Sequence, residues 1–335
     1  MKVALYHKRL KNDIVNCRLC PTNCVIKPGN FGNCGARKNA GGELVSLVYG
    51  RPVSANVDPI EKKPLYHFLP GSYSFSIGTL GCNLHCLHCQ NYEISQARAD
   101  EFFVKEVMPK EIVETALGNG CKSISYTYNE PTINYEYVLE TAKLARKKGL
   151  KNVMVTNGYI NIEPLRELYP YIDAANIDIK SIDEEFYKKV CSARLKPILD
   201  AIVEIKRVGT WIELTNLVIP GHNDGKKQIE HLVLWIKNNL GERVPLHFSA
   251  FYPTYNMLDA ARTPDKTLIM AREMALRNGL KYVYLGNSSL DGVGNTLCPK
   301  CRKLLVERGQ FEVKSNKITK NLCPYCDEKI DGIFE

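Results

Sequence analysis

Between residues 71 and 292, short apolar stretches alternate with longer amphipathic ones, and this alternation limits the fold more than any other feature of the chain. The strand-like pieces are Tyr73–Thr79, Lys122–Thr127, Asn152–Asn157, Ala174–Ile179, Trp211–Ile219, Pro245–Phe251 and Lys281–Leu285. Helical patterns at Lys110–Leu117, Tyr135–Lys148, Ile198–Val208, Lys227–Leu240 and Thr267–Asn278 separate most of them. The second of these ends in Arg146-Lys147-Lys148-Gly149, which sets cations at the negative end of a helix dipole and then a glycine to leave it. Strands separated by helices need crossover connections, so the segment predicts βαβ units and a mostly parallel sheet. Six or seven repeats suit a full or partial barrel better than a two-domain dinucleotide fold. No G-x-G-x-x-G follows the first strand, which removes the support for a nicotinamide site.

Two cysteine-bearing segments flank this α/β core. Residues 1–70 are rich in Cys, Gly and Pro, with strand-like pieces such as Leu44–Tyr49, and residues 293–335 form a small tail bounded by cysteines. The apolar runs fall short of the ~20 residues of a membrane helix, so no membrane partner is expected. The start, Met1 to Lys8, lacks an apolar core followed by a small-residue cleavage site, and a cytoplasmic location is expected. The net charge of +9 is mild for this length and favours acidic partners or nucleic acid only slightly.

In α/β folds the chemistry gathers at the carboxyl ends of the strands. Cys82 follows the first strand, Tyr128-Asn129-Glu130-Pro131 the second, and Asn157-Gly158-Tyr159 the third. Asp178 and Lys180 end the fourth, and Pro220 to Asp224 follow the fifth. Clustered thiols in a chain without a signal peptide read as metal or cluster ligands. Cys82, Cys86 and Cys89 form a C-x3-C-x2-C loop that can hold three irons of a [4Fe–4S] cubane and leave the fourth open. Zinc completed by His85 or His88 is the competing reading of the same loop.

These stretches, with Asp58-Pro59-Ile60-Glu61-Lys62-Lys63-Pro64-Leu65, Val155 to Tyr159 and Val218 to Asp224, resemble the radical S-adenosylmethionine (SAM) enzymes. The nearest resemblance is to the radical SAM enzyme of the AmmeMemoRadiSam system, related to the activases of glycyl-radical enzymes such as pyruvate formate-lyase. It implies a partial (β/α)6 TIM-like barrel, a [4Fe–4S] cluster on Cys82, Cys86 and Cys89, and SAM chelating the open iron. It also implies an oxidoreductase-type or modifying enzyme that abstracts hydrogen from a substrate, a protein or RNA, and takes electrons from a low-potential donor. Partners of the Memo or AMMECR type follow from the subgroup. Glu130 is implied to face the SAM amino group, although the glycines that usually precede it in activases are absent here. Asn157, Asp178, Lys180 and Tyr92 are implied as further SAM contacts. Each also has an ordinary structural reading: a helix N-terminal carboxylate, an Asn-Gly turn, a strand-end ion pair and a core aromatic.

The tail carries Cys298-Pro299-Lys300-Cys301 and Cys323-Pro324-Tyr325-Cys326, paired C-x2-C knuckles that predict a zinc-ribbon-like site. Basic residues outnumber acidic ones between the knuckles, so the tail suits an acidic partner such as RNA, or a solvated hairpin. Cys17, Cys20, Cys24 and Cys34 are expected to share one metal centre, zinc or an auxiliary iron–sulfur cluster. Cys121 reads as a small packed hydrophobe, Cys191 as a substrate-facing or a quiet structural thiol, and His247 as a hydrogen-bonded core histidine. A zinc- and iron-binding adaptor without enzymatic activity is the alternative. It leaves unexplained why motif residues recur at successive strand ends.

Overall fold

The computed structural model describes residues 1–335. Its centre is an eight-stranded open sheet built from β1 (Ser54–Pro59), β2 (Tyr73–Gly78), β3 (Ser123–Tyr126), β4 (Lys151–Thr156), β5 (Ala174–Asp178), β6 (Trp211–Val218), β7 (Leu246–Ala250) and β8 (Val283–Gly286). The strands lie side by side in sequence order. β2 to β8 are parallel, and β1 pairs antiparallel with β2 along one edge. The connections supply α1 (Pro109–Gly118), α2 (Tyr135–Lys147), α3 (Ile162–Leu168), α4 (Glu184–Cys191), α5 (Leu195–Val208), α6 (Lys226–Leu240) and α7 (Asp265–Arg277). Six strand–helix units followed by one more parallel strand make a partial, TIM-like barrel.

All seven expected strands are present, with ends shifted by a residue or two. Their runs of Val, Ile and Ala are covered on both faces, so they pack as buried parallel strands do. α2 turns Tyr135, Val138, Leu139, Ala142 and Ala145 inward and closes at Gly149, whose φ of 79° only glycine adopts freely. Three elements go beyond the periodicity. β1 is mostly exposed and mixes Ser, Asn and Asp, so no apolar alternation marks it as a strand. α3 is short and carries Pro164 in its first turn. α4 opens on two acidic residues, Glu184 and Glu185, and is started by the Asp183 carboxylate, which accepts the Glu185 N–H at 2.8 Å.

The leading segment folds as short antiparallel strands laid against the barrel. A buried ion pair, Arg37 to Glu136 at 2.6 Å, fastens it to α2, and Arg37 also donates to the Leu5 carbonyl. At the opposite end, the tail closes over the amino-terminal ends of the strands. Ile333 exchanges backbone hydrogen bonds with His67 and Leu69, and Arg308 donates to the Tyr66 carbonyl at 2.6 Å. Arg243 binds Glu328 and Asp331. No helix is long and apolar enough to cross a membrane.

Candidate cluster site at the carboxyl ends of the strands

β2 delivers the chain to Thr79, Leu80 and Gly81, and the triplet loop starts there. Asn129, at the end of β3, holds this entry from both sides. Its carbonyl accepts the Thr79 N–H at 3.1 Å, and its amide donates to the Gly81 carbonyl at 2.8 Å. Farther along, the C-terminus of α4 fixes the loop. The His85 N–H donates to the Cys191 carbonyl at 3.1 Å and the Leu87 N–H to the Val190 carbonyl at 2.9 Å. These carbonyls are the ones a helix end leaves without partners, so the loop and the helix satisfy each other. The loop after β7 closes the third side, where the Asn256 N–H donates to the Leu87 carbonyl at 3.0 Å.

The three sulfurs sit in different surroundings. Cys82 receives the Leu84 N–H at 3.4 Å and stands 3.9 Å from the Asn157 amide nitrogen. Cys89 lies 3.1 Å from the Ser95 hydroxyl. Cys86 is beside the Cys191 thiol, whose hydrogen bond together with the Lys180 charge draws the Cys86 thiol below its usual range despite burial. Burial raises Cys82 and Cys89, and the nearby Glu130 charge adds to the effect at Cys82. Three soft donors on one loop, with N–H and O–H groups turned toward two of the sulfurs, fit an iron–sulfur cluster held by thiolates.

The residues expected around SAM meet here in differing ways. The Asn157 amide donates to Asn83 Oδ1 at 3.0 Å, and Asn83 in turn donates to the Tyr159 carbonyl. Asp178 and Lys180 pair at 2.9 Å on the rim. Burial opposes the Lys180 charge, yet Asp178, Cys86 and Cys191 carry it well above the ordinary lysine range. Glu130 caps the helical turn that begins at Pro131, the helix N-terminal carboxylate of its structural reading. Its carboxylate is 2% exposed and accepts the Thr132 N–H, the Thr156 hydroxyl and the Asn157 N–H at 2.7 to 2.9 Å. Burial raises it, and these donors hold the rise in check. Tyr92 is half-exposed and stacks on Tyr255 with ring centres 4.7 Å apart.

Cys191, at the end of α4, stands beside the cysteine loop. Its sulfur, Cys86 Sγ and a His88 ring nitrogen all lie within 4.8 Å of one another. Sequence reasoning missed this because α4 itself was not recognised. It also missed Asn129 and Asn83, whose one available signal was their place inside the strand-end motifs. Cys121 is buried as a small apolar residue. His222 is exposed, and His247 is buried against Glu213 at 2.7 Å, far from the triplet at the other end of the barrel.

Of the flanking groups, Cys298, Cys301, Cys323 and Cys326 converge within 4.8 Å of one another. The pairs Cys298–Cys326 and Cys301–Cys323 stand 3.6 and 3.7 Å apart. Tetrahedral coordination at a metal–sulfur distance of about 2.3 Å puts sulfurs roughly 3.8 Å apart, so the knuckles suit one four-coordinate ion. Cys17 ends the short strand Val15–Cys17, Cys20 and Cys24 lie in the connection to the strand Val25–Ile26, and Cys34 arrives by a loop. Burial, with the charges of neighbouring cysteines, pushes Cys20 and Cys34 up to about 11.

This chain belongs to the radical SAM superfamily, whose family model matches residues 76–236. The particular relatives sharpen the picture. An uncharacterized protein of Methanocaldococcus jannaschii is 45% identical over the whole of both chains. A putative glycyl-radical enzyme activating enzyme of the same organism is 27% identical, covering 64% of this chain and 79% of the relative. The pyruvate formate-lyase-activating enzyme of Clostridium pasteurianum is 22% identical over 47% of this chain and 67% of its own length. Among solved structures, a radical SAM methyltransferase from Sphaerobacter thermophilus shares the fold with a TM-score of 0.51 at 14% identity, covering 66% of this chain and 68% of that one. The protein is therefore a radical SAM enzyme that uses a [4Fe–4S] cluster and SAM, with homology to glycyl-radical enzyme activases. The non-enzymatic adaptor reading is set aside.

Proposed function

We propose that the protein generates a substrate radical on another protein, as an activase or modifying enzyme of the AmmeMemoRadiSam type. The observation that carries this reading is the triplet loop anchored at the carboxyl ends of β2 and β3 and at the end of α4, beside Asn157 and the Asp178–Lys180 pair. Cys82, Cys86 and Cys89 would hold the cluster. Bound there, the cluster and SAM would supply radical hydrogen-abstraction chemistry on the substrate. The chain's own residues orient and shield. Asn157 and the Asp178–Lys180 pair offer donors and charge to the methionyl end of SAM, and Tyr92 with Tyr255 offers an aromatic surface. Glu130 acts as a brace, holding the Asn157 backbone and the start of the helical turn at Pro131 in register.

A protein substrate is favoured over RNA because the activase relatives are named for protein targets, and because the tail spends part of its surface against the barrel. A partner of the Memo or AMMECR type belongs to this reading, as do a low-potential electron donor and a cytoplasmic location. Zinc is proposed for the four tail cysteines, which close a structural site and leave no open position. The four leading cysteines are proposed to hold one further metal centre.

The deciding experiment is anaerobic incubation with SAM and dithionite. The protein should form 5′-deoxyadenosine, and the variant with all three triplet cysteines replaced by alanine should not. Equal amounts from the two would end the reading. Recovery of a Memo- or AMMECR-type protein with the anaerobically purified enzyme would support the subgroup, and retention of RNA that salt abolishes would redirect the substrate.

A further inference from the structure

His88 stands out among the buried polar side chains. It is 3% exposed, and neither ring nitrogen has a hydrogen-bond partner. A buried polar group left unpaired costs on the order of 1–3 kcal/mol, so native proteins seldom keep one without a use. The ring packs near Phe186 of α4, and a nitrogen faces the sulfurs of Cys86 and Cys191. The three ligand atoms lie within 4.8 Å of one another, and all three residues are buried. That span suits a single ion. A cubane, by contrast, spreads its thiolates over separate irons.

We infer that Cys86, His88 and Cys191 form a mononuclear site for a thiophilic divalent cation, zinc or ferrous iron, which shares Cys86 with the cluster and excludes it. Two thiolates balance the charge of the cation, and Asp178 balances Lys180 at 2.9 Å beside them. Binding forms two metal–sulfur bonds and one metal–nitrogen bond, releases thiol protons to the buffer and changes no oxidation state. The fourth position is left to water. The site itself stands without the cluster reading of the triplet; the exclusion rests on that reading.

The test uses full-length protein stripped of iron and sulfide, with cobalt(II) as the probe, because thiolate-bound cobalt absorbs in the near ultraviolet and visible. Wild type and C82A should bind about one equivalent more than C191S and H88A. Cys82 belongs to the triplet alone, so C82A separates the two ligand sets. Equal stoichiometry in wild type, C191S and H88A, with unchanged melting curves, overturns the site. C191S is nearly isosteric, which guards the comparison against misfolding in H88A. For the exclusion, zinc-loaded wild type should take up little acid-labile sulfide on reconstitution, whereas C191S treated alike should take up its full amount. Equal inhibition overturns the exclusion. Failure of zinc-free wild type to assemble a cluster would count against the cluster reading, and the cobalt stoichiometry would still decide the mononuclear site.

Discussion

The backbone carbonyl of Cys34 lies so close to Gly81 that a Cβ on Gly81 would stand 2.2 Å from it. This contact joins the leading cysteine segment to the entry of the triplet loop, and Gly81 also takes a φ of 89° that suits glycine alone. Gly81→Ala must displace either the loop or the segment around Cys34. Iron and sulfide content after anaerobic reconstitution should fall to the level of the triplet-to-alanine variant. Full cluster content in Gly81→Ala would show that the contact is not needed.

Glu130 offers a clean separation of two roles. Its carboxylate accepts from three donors, and Glu130→Gln turns one accepting position into a second donor. As a brace it should cost about 1–3 kcal/mol of stability and leave the SAM dissociation constant within a few-fold. Weakened SAM binding at unchanged stability would instead assign the side chain to the ligand. Urea unfolding and equilibrium SAM binding measure the two.

Arg37→Ala should destabilise the fold strongly. It strands Glu136, which is buried at the join between the leading segment and α2. Breaking a buried pair from one side costs about 3–5 kcal/mol. Chemical denaturation should show that loss, whereas Arg37→Ala together with Glu136→Gln should recover part of it.

The tail's seat on the barrel should weaken in acid. His67 is buried between Asp331 and Tyr284, at 2.6 Å from each, and burial pushes it down to about 4. As a neutral ring it donates from Nδ1 to the Asp331 carbonyl and accepts the Tyr284 hydroxyl at Nε2. The unfolded chain binds a proton near pH 6.5 and the folded one only near pH 4. The contribution is therefore complete above pH 6.5 and is lost as the pH falls toward 4, by up to about 3 kcal/mol. The drop in urea midpoint between pH 7 and pH 5 should be larger for wild type than for His67→Gln. Identical drops would assign the acid sensitivity elsewhere.

Metal at the tail should support the barrel as well as the ribbon. The ribbon reaches the strand bottoms through Arg308, which also donates to Thr296 beside Tyr284. Strong chelators, or Cys323→Ser, should lower the melting temperature of the whole chain by several degrees. They should also release about one zinc per chain. A variant that melts like wild type would make the tail an independent unit.

The sequence alone determined what is periodic or spaced in the chain. Runs such as Ala174–Ile179 must be buried on both faces, and helical patterns such as Tyr135–Lys148 force crossovers, so the parallel order followed without coordinates. The triplet and the paired knuckles were equally legible, because ligand chemistry demands fixed residue types at short intervals. Tertiary structure decided what depends on neighbours distant in the chain. Ser54–Pro59 is a strand only because Tyr73–Gly78 offers it an open edge. The buried Glu130 carboxylate is satisfied because Thr156 and Asn157 arrive from the next strand with donors. Cys191 came to lie beside Cys86 because the carbonyls at the end of α4 need the loop's N–H groups. Periodicity records what each segment must bury, whereas hydrogen-bond partners and close contacts are chosen only when segments meet.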